Sequence, residues 1–238
     1  MVSAGVNPEY HDRGNALEAL AVVWAPVSAL ARVTGERRVL LGFGVVALYA
    51  GLQLVINVMG ILGGASAFVT EDFSNLPPEF VEGFSQVGKV ASVISAVLSR
   101  FIGWIMVSLL MQLVTRFFGG TGPLSGMFAA VGVAAVPLVI ASTVELPVTG
   151  LQVILGLDSV GATLVDALIG LLFVAAYAWN IVLVVIGAAL ARRIGYGESA
   201  GSCAISCAGC AGLILIVGVF FGVLIAVLLQ VAGSAGAS

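Results

Sequence analysis

Long apolar runs alternate with short polar breaks along this chain, and that alternation sets out its elements. Five runs are long enough to cross a bilayer: about Val39–Gly63, Val97–Phe118, Leu124–Leu146, Thr163–Leu190 and Cys207–Val231. A spanning helix needs roughly 20 consecutive apolar residues. Inside the hydrocarbon no water satisfies backbone N–H and C=O groups, so runs of this kind cross as helices. Polar interruptions are few: Gln53 and Asn57 in the first run, Arg100 and Gln112 in the second, Asp166 and Asn180 in the fourth. Pro137, inside the third run, predicts a kink, because its ring removes a hydrogen bond and crowds the preceding turn.

Two weaker patterns flank these runs. Leu17, Leu20, Trp24 and Val27 recur at helical spacing, interrupted at Pro26. They read as an amphipathic helix lying on the membrane surface, with packing against the bundle as the alternative. The apolar stretch Ala19–Ala31 is too short to span. Further on, SNLPPEF reads as a turn and a helix start, with Pro78 suited to the first helical position. Phe80, Phe84, Val87 and Ala91 then share one face, with Glu79, Glu82, Gln86 and Lys89 opposite, which predicts an interfacial helix ahead of the second span. Pro147–Ser159, carrying Asp158, reads as a short loop. Gly60 with Gly64, and Gly218 with Gly222, offer small-xxx-small spacings for close helix contact.

The fold class that follows is all-α: a polytopic membrane protein of five transmembrane helices plus amphipathic interfacial helices. Residues 1–38 form an N-terminal segment with an amphipathic helix, 39–232 the membrane domain and 233–238 a short tail. Composition makes the membrane unavoidable. Of the 238 residues 61% are hydrophobic and 9% charged, against about 25% charged in a soluble domain. A net charge of −3 argues against a nucleic-acid partner. Glu9, Asp12 and Glu18 make the start acidic, unlike the basic lead of a secretory signal.

Arginine placement predicts the orientation. An inside N-terminus puts Arg13, Arg32, Arg37, Arg38, Arg116, Arg192 and Arg193 on the cytoplasmic side, Lys89 and Arg100 on the other, and the C-terminus outside.

Candidate chemistry is sparse. Cys203, Cys207 and Cys210 have the C-x3-C-x2-C spacing of radical iron–sulfur enzymes, but they lie at the mouth of an apolar helix, where the same spacing puts small side chains on one packing face. Palmitoylation is a third reading. His11, the single histidine, has no second ligand nearby, so no metal is expected. GGTG lacks the Lys-Ser/Thr of a phosphate loop. Neither a catalytic constellation nor a cofactor site is expected. Arg100, Glu145 and Asp166 fall at one depth under antiparallel numbering, so they form the candidate intramembrane polar cluster, with pairing of Arg100 to either carboxylate as the sharper reading and Arg100 snorkelling alone as the plainer one.

The most distinctive stretch is RFFGGTGPLSGMFAAVGVAAVP, from Arg116 to Pro137. Arg116 closes one span; Gly119, Gly120 and Gly122 permit a sharp reversal; Pro123 suits the start of the next helix; Pro137 interrupts it. With AYAWNIVLVVIG in the fourth span and the basic turn ARRIGYGES after it, this stretch resembles the YIP family of membrane proteins over about residues 15–232. The resemblance implies a five-span helical fold, a cytoplasmic N-terminus and a non-enzymatic role. In eukaryotic relatives that role is organising membrane traffic by binding prenylated small GTPases and other family members. Those relatives carry a long N-terminal domain with an Asp-Leu-x-Gly-Pro element. About 38 residues precede the first span here and the element is absent. The chain looks like the short prokaryotic members, a likeness that puts small-GTPase binding in doubt and implies a link to export complexes instead.

The leading expectation is a scaffold in the lipid bilayer that binds other membrane proteins or copies of itself. The alternative is a small transporter, channel or lipid-moving protein. That reading needs a polar path, for which Gln53, Asn57, Arg100, Gln112, Asp166 and Asn180 are few and scattered. As helix–helix hydrogen bonds each is worth about 0.6 kcal/mol on average.

Overall fold

The computed structural model describes residues 19–36, 38–63, 78–155 and 160–235, with side chains throughout except at 78–85, 160–162, 213, 214, 216, 217 and 220–235. Helices make up its architecture: α1 (Pro26–Gly35), α2 (Val39–Leu62), α3 (Pro78–Phe117), α4 (Leu124–Ala134), α5 (Val136–Leu155), α6 (Val160–Arg192) and α7 (Tyr196–Ala235). Among the described residues four stretches are long and apolar enough to cross a membrane: Val39–Leu62, Gln86–Phe117, Leu124–Leu155 and Thr163–Arg192. The fifth expected span, about Cys207–Val231, runs along α7, where most of its side chains lie outside the described residues.

Arg38, Arg116, Arg192 and Arg193 stand beside the junctions where α2 starts, α3 ends and α6 gives way to α7, and this end of the bundle is called the basic end below.

The short helix α4 occupies the centre, packed on α1, α2, α3 and α6. Its sequence, LSGMFAAVGVA, explains the position: side chains this small let neighbouring backbones approach. A Cβ built on Gly132 would lie 2.6 Å from the Gly42 Cα. Gly42 in turn lies against the Phe128 and Ala129 carbonyls of α4, so α2 and α4 meet backbone to backbone. Met127, Ala129, Ala130 and Val133 are fully buried, with Leu30, Val33 and Leu183 closing over them. This crossing is not one of the glycine pairs singled out from sequence. Gly218 has open space beside it, and Gly64 and Gly222 lie outside the described side chains.

Three expectations are corrected. First, the N-terminal helix is docked, not laid on the surface. It restarts at Pro26, and Ala29, Leu30 and Val33 of α1 enter the core against α4 and α6. Leu20, Trp24 and Val27, the expected apolar face, point outward instead. Residues 22–25 form a turn, so the expected helix is not continuous, and the buried side is set by Val22 in that turn and by Ala29, Leu30 and Val33 after it. Leu17 lies outside the described residues.

Second, the segment expected as a separate interfacial helix is continuous with the second span: α3 runs unbroken for 40 residues. Gly83 and Gly88 are the only weak formers in the junction, and each costs only about 1 kcal/mol relative to Ala, too little to end a helix. Of the expected apolar face Val87 is exposed, while Phe80 and Phe84 lie outside the described side chains.

Third, the kinked span is two helices. α4 ends at Ala134, Ala135 forms a turn, and Pro137 sits in the first turn of α5, where its missing N–H does no harm. The expected loop from Pro147 is helical to Leu155, with Pro147 inside α5, and residues 156–159 lie outside the described set.

Candidate functional site

Two polar assemblies stand out in this apolar molecule. One lies at the basic end. Here α3 closes at Phe117 and the chain turns through Gly119, which takes φ +80°. The Gly120 N–H donates to the Thr115 carbonyl at 2.9 Å, and the Thr121 N–H donates to the Arg192 carbonyl at 3.1 Å. Pro123 takes the position just before the first helical residue of α4. Gly122 presses on the end of α6: a Cβ there would lie 1.6 Å from the Ala191 carbonyl oxygen.

Arg192, only 2% exposed, locks this turn from within. Its Nε donates to Thr115 Oγ1 at 3.1 Å, and its two terminal nitrogens donate to the carbonyls of Gly122 and Gly120. A planar guanidinium with five donors in a fixed fork suits several acceptors in one plane. Arg116, in the last turn of α3, is exposed. Arg193, just past the end of α6, takes φ 59°, and α7 begins with the Glu198 carboxylate accepting from the Gly195 N–H at 2.9 Å, half of a capping box.

The second assembly is intramembrane. Tyr49 and Gln53 share a face of α2, and Ser142 and Glu145 share a face of α5. The Gln53 side-chain nitrogen donates to Ser142 Oγ and to a Glu145 carboxylate oxygen, both at 3.0 Å. Tyr49 and Tyr177 hydroxyls meet at 3.3 Å, and the Arg100 guanidinium lies over the Tyr49 ring at 4.8 Å. Arg100 is close enough to Glu145 for their charges to attract. The Tyr49 ring beneath the Arg100 guanidinium and the Gln53 amide on Glu145 reduce the cost of holding these charges among apolar helices, while Arg100 Nε is left buried without a hydrogen-bond partner among the described residues.

Arg100 and Glu145 are thus brought to one site around Tyr49, and Asp166 is not. Asp166 accepts from Gln152 at 3.0 Å in an exposed position. Tyr49, Ser142, Tyr177 and Thr115 were missed from sequence. The spacing of Tyr49 to Gln53 and of Ser142 to Glu145 was a usable signal, since residues three and four apart share a helix face.

Asn180 has a different task. With the α4–α5 break, the Leu138 N–H turns to the Ala135 carbonyl, leaving the Ala134 carbonyl without its helical donor. Asn180 Nδ2 donates to it at 2.7 Å from α6.

Cys203 is buried, Cys207 exposed and Cys210 intermediate. Burial, together with the neighbouring Cys207, pushes the Cys203 thiol up to about 11, so it stays protonated at neutral pH and is a poor nucleophile. Among the described residues no three His, Cys, Asp or Glu side chains are placed to hold a metal ion. His11 lies outside the described residues.

Comparison with known proteins gives one match: a family model described as Yip1 domain, over residues 20–219. No curated protein matches the chain, and no solved structure does.

Proposed function

The chain belongs to the Yip1 domain family, and on that premise we propose that it is a non-enzymatic membrane adaptor that binds other membrane proteins sideways, along the flank of α3. One observation carries this reading. Ile94, Leu98, Ile102, Ile105, Leu109 and Leu113 are all exposed along α3. They recur every three or four residues, the ridge spacing by which helices interlock. Of the four spanning stretches, the one on α3 is the least buried and the one on α4–α5 the most. Among the described residues, the bundle therefore leaves a long regular ridge of α3 uncovered. The adaptor has five spans in this reading, α7 supplying the fifth, with the N-terminus and the basic end in the cytoplasm and the C-terminus outside.

Transport is less well supported. The polar side chains around Tyr49 engage one another, and toward the basic end the bundle interior is filled by Met127, Ala130, Val133 and Leu183, all fully buried. A polar path would have to pass through them.

Affinity purification of the intact chain from its native membrane tests the adaptor reading. Another membrane protein should co-purify in stoichiometric amount. Leu98→Trp with Leu109→Trp, which alters the ridge and leaves the core alone, should release it without changing the melting temperature. Purification of the chain alone under mild extraction, or retention of the partner by the double variant, would overturn the α3 adaptor.

A further inference from the structure

A lateral groove of about 850 Å³ opens beside α2 near the basic end. Its walls are Val39, Leu40, Gly44 and Leu48 of α2 and Val136 and Ile140 of α5; Glu36 and Arg38 stand at its mouth. The volume lies in the range of sites that hold a small molecule, and the walls are almost wholly apolar. Leu40, Leu48 and Ile140 are exposed along the opening, and among the described residues nothing stands within 4 Å of where a Gly44 Cβ would be. The groove's exposed wall residues Leu40 and Leu48 belong to Val39–Leu62, a stretch long and apolar enough to cross a membrane.

We propose that the groove binds one acyl chain of a zwitterionic glycerophospholipid from the leaflet at the basic end, with its headgroup on Glu36 and Arg38. Length supports the chain. From Val39 to Leu48 the groove follows nine helical steps, about 14 Å at 1.5 Å per residue. That matches the depth of one leaflet, half of a hydrocarbon core of about 30 Å. Polarity supports it too, because charge is confined to the end where the headgroup layer lies. Charge complementarity selects the headgroup. Arg38 Nε donates to the Glu36 carboxylate at 2.6 Å, and the Glu36 side chain is still 52% exposed. A phosphate approaching Arg38 meets Glu36 as well. Glu36 and Arg38 form an ion pair with each other, and a headgroup carrying both a phosphate and an ammonium complements that pair, whereas one carrying only negative charge is repelled by the exposed carboxylate. Gly44 is what keeps the floor of the groove open.

The full-length protein, reconstituted into nanodiscs of equimolar phosphatidylethanolamine and phosphatidylglycerol, is extracted in mild detergent and examined by native mass spectrometry. One phosphatidylethanolamine should remain per chain, favoured over phosphatidylglycerol by about tenfold, a difference of about 1.4 kcal/mol. Gly44→Trp fills the groove and should abolish retention at an unchanged melting temperature. Leu48→Trp, at an exposed position on the same wall, should do the same if Gly44→Trp fails to fold. Glu36→Gln should remove the preference between headgroups while keeping a bound lipid. Leu171→Trp, on the exposed flank of α6, should retain lipid as the unaltered chain does. No retained lipid, equal or greater retention of phosphatidylglycerol by the unaltered chain, or retention by a folded Gly44→Trp or Leu48→Trp variant would overturn the proposal.

Discussion

At Gly122 the chain has no room for a methyl group, because the Ala191 carbonyl oxygen would lie 1.6 Å from it. Backbone cannot move aside as a flexible side chain can, so Gly122→Ala should cost about 3 kcal/mol, the upper end of ordinary overpacking. Gly119→Ala meets no neighbour among the described residues but must hold φ +80°, so strain alone should cost about 1–2 kcal/mol. Gly44→Ala, in open space inside a helix, should gain up to about 1 kcal/mol from propensity. Thermal unfolding of the three variants in detergent should rank them in that order, and equal melting temperatures would mean the turn is not seated on α6. The neighbouring guanidinium is open to a similar test. Arg192→Lys keeps the charge but cannot present a fork to Thr115, Gly120 and Gly122, and should destabilise by about 2 kcal/mol.

Among the elements, the α4–α5 break is the joint that depends on another helix. Pro137 cannot donate, the turn at Ala135 redirects the Leu138 N–H, and the carbonyl left over at Ala134 is answered by Asn180. Asn180→Leu should therefore cost about 1–2 kcal/mol, since it strands a carbonyl among apolar side chains. Amide hydrogen exchange should rise on both sides of Ala135 and stay unchanged at the α2–α4 crossing. Uniform exchange along α4 and α5 would show that Asn180 does not support the break. Proline was visible in the sequence as an interruption of this span. That α5 would carry a second proline and still run to Leu155 was not visible, because propensity penalises Pro147 while the need to bond backbone internally in a membrane favours helix.

Across the whole molecule the Tyr49 cluster joins α2, α3, α5 and α6, and its energetics should be shared among them. A double-mutant cycle on Gln53→Leu and Glu145→Leu should be non-additive by about 0.5–1.5 kcal/mol, since each removal strands the other's partner. The cycle of Arg100→Ala with Asp166→Ala should be additive, because Asp166 bonds Gln152 instead. Coupling in the second cycle and none in the first would reverse the assignment. Topology is tested at the same scale. Ser199 is fully buried and donates to the Val185 carbonyl, so a cysteine there reports packing and not sidedness. In a background without Cys203, Cys207 and Cys210, Gly197→Cys, at an exposed position in the first turn of α7, should react with an impermeant thiol reagent only after cells are opened. Labelling in intact cells would invert the proposed orientation.

By itself the sequence determined that this is a helical membrane protein, where four of its spans lie, that a glycine turn joins two of them and which family it belongs to. These properties are written in local runs: length, apolarity, charge at the ends and glycine at a reversal need no knowledge of neighbours. Tertiary structure decided which face of the N-terminal helix is buried, that Arg192 lies inside the turn, and that Arg100 keeps company with Tyr49 and Glu145 while Asp166 stands apart. The reason is physical. In a chain this apolar, hydrophobicity no longer separates inside from outside, since every face of a span can meet lipid. What sorts the faces is the close approach of small residues such as Gly42 and Gly132 and the pairing of a few polar groups across helices, and both are properties of juxtaposition rather than of order along the chain.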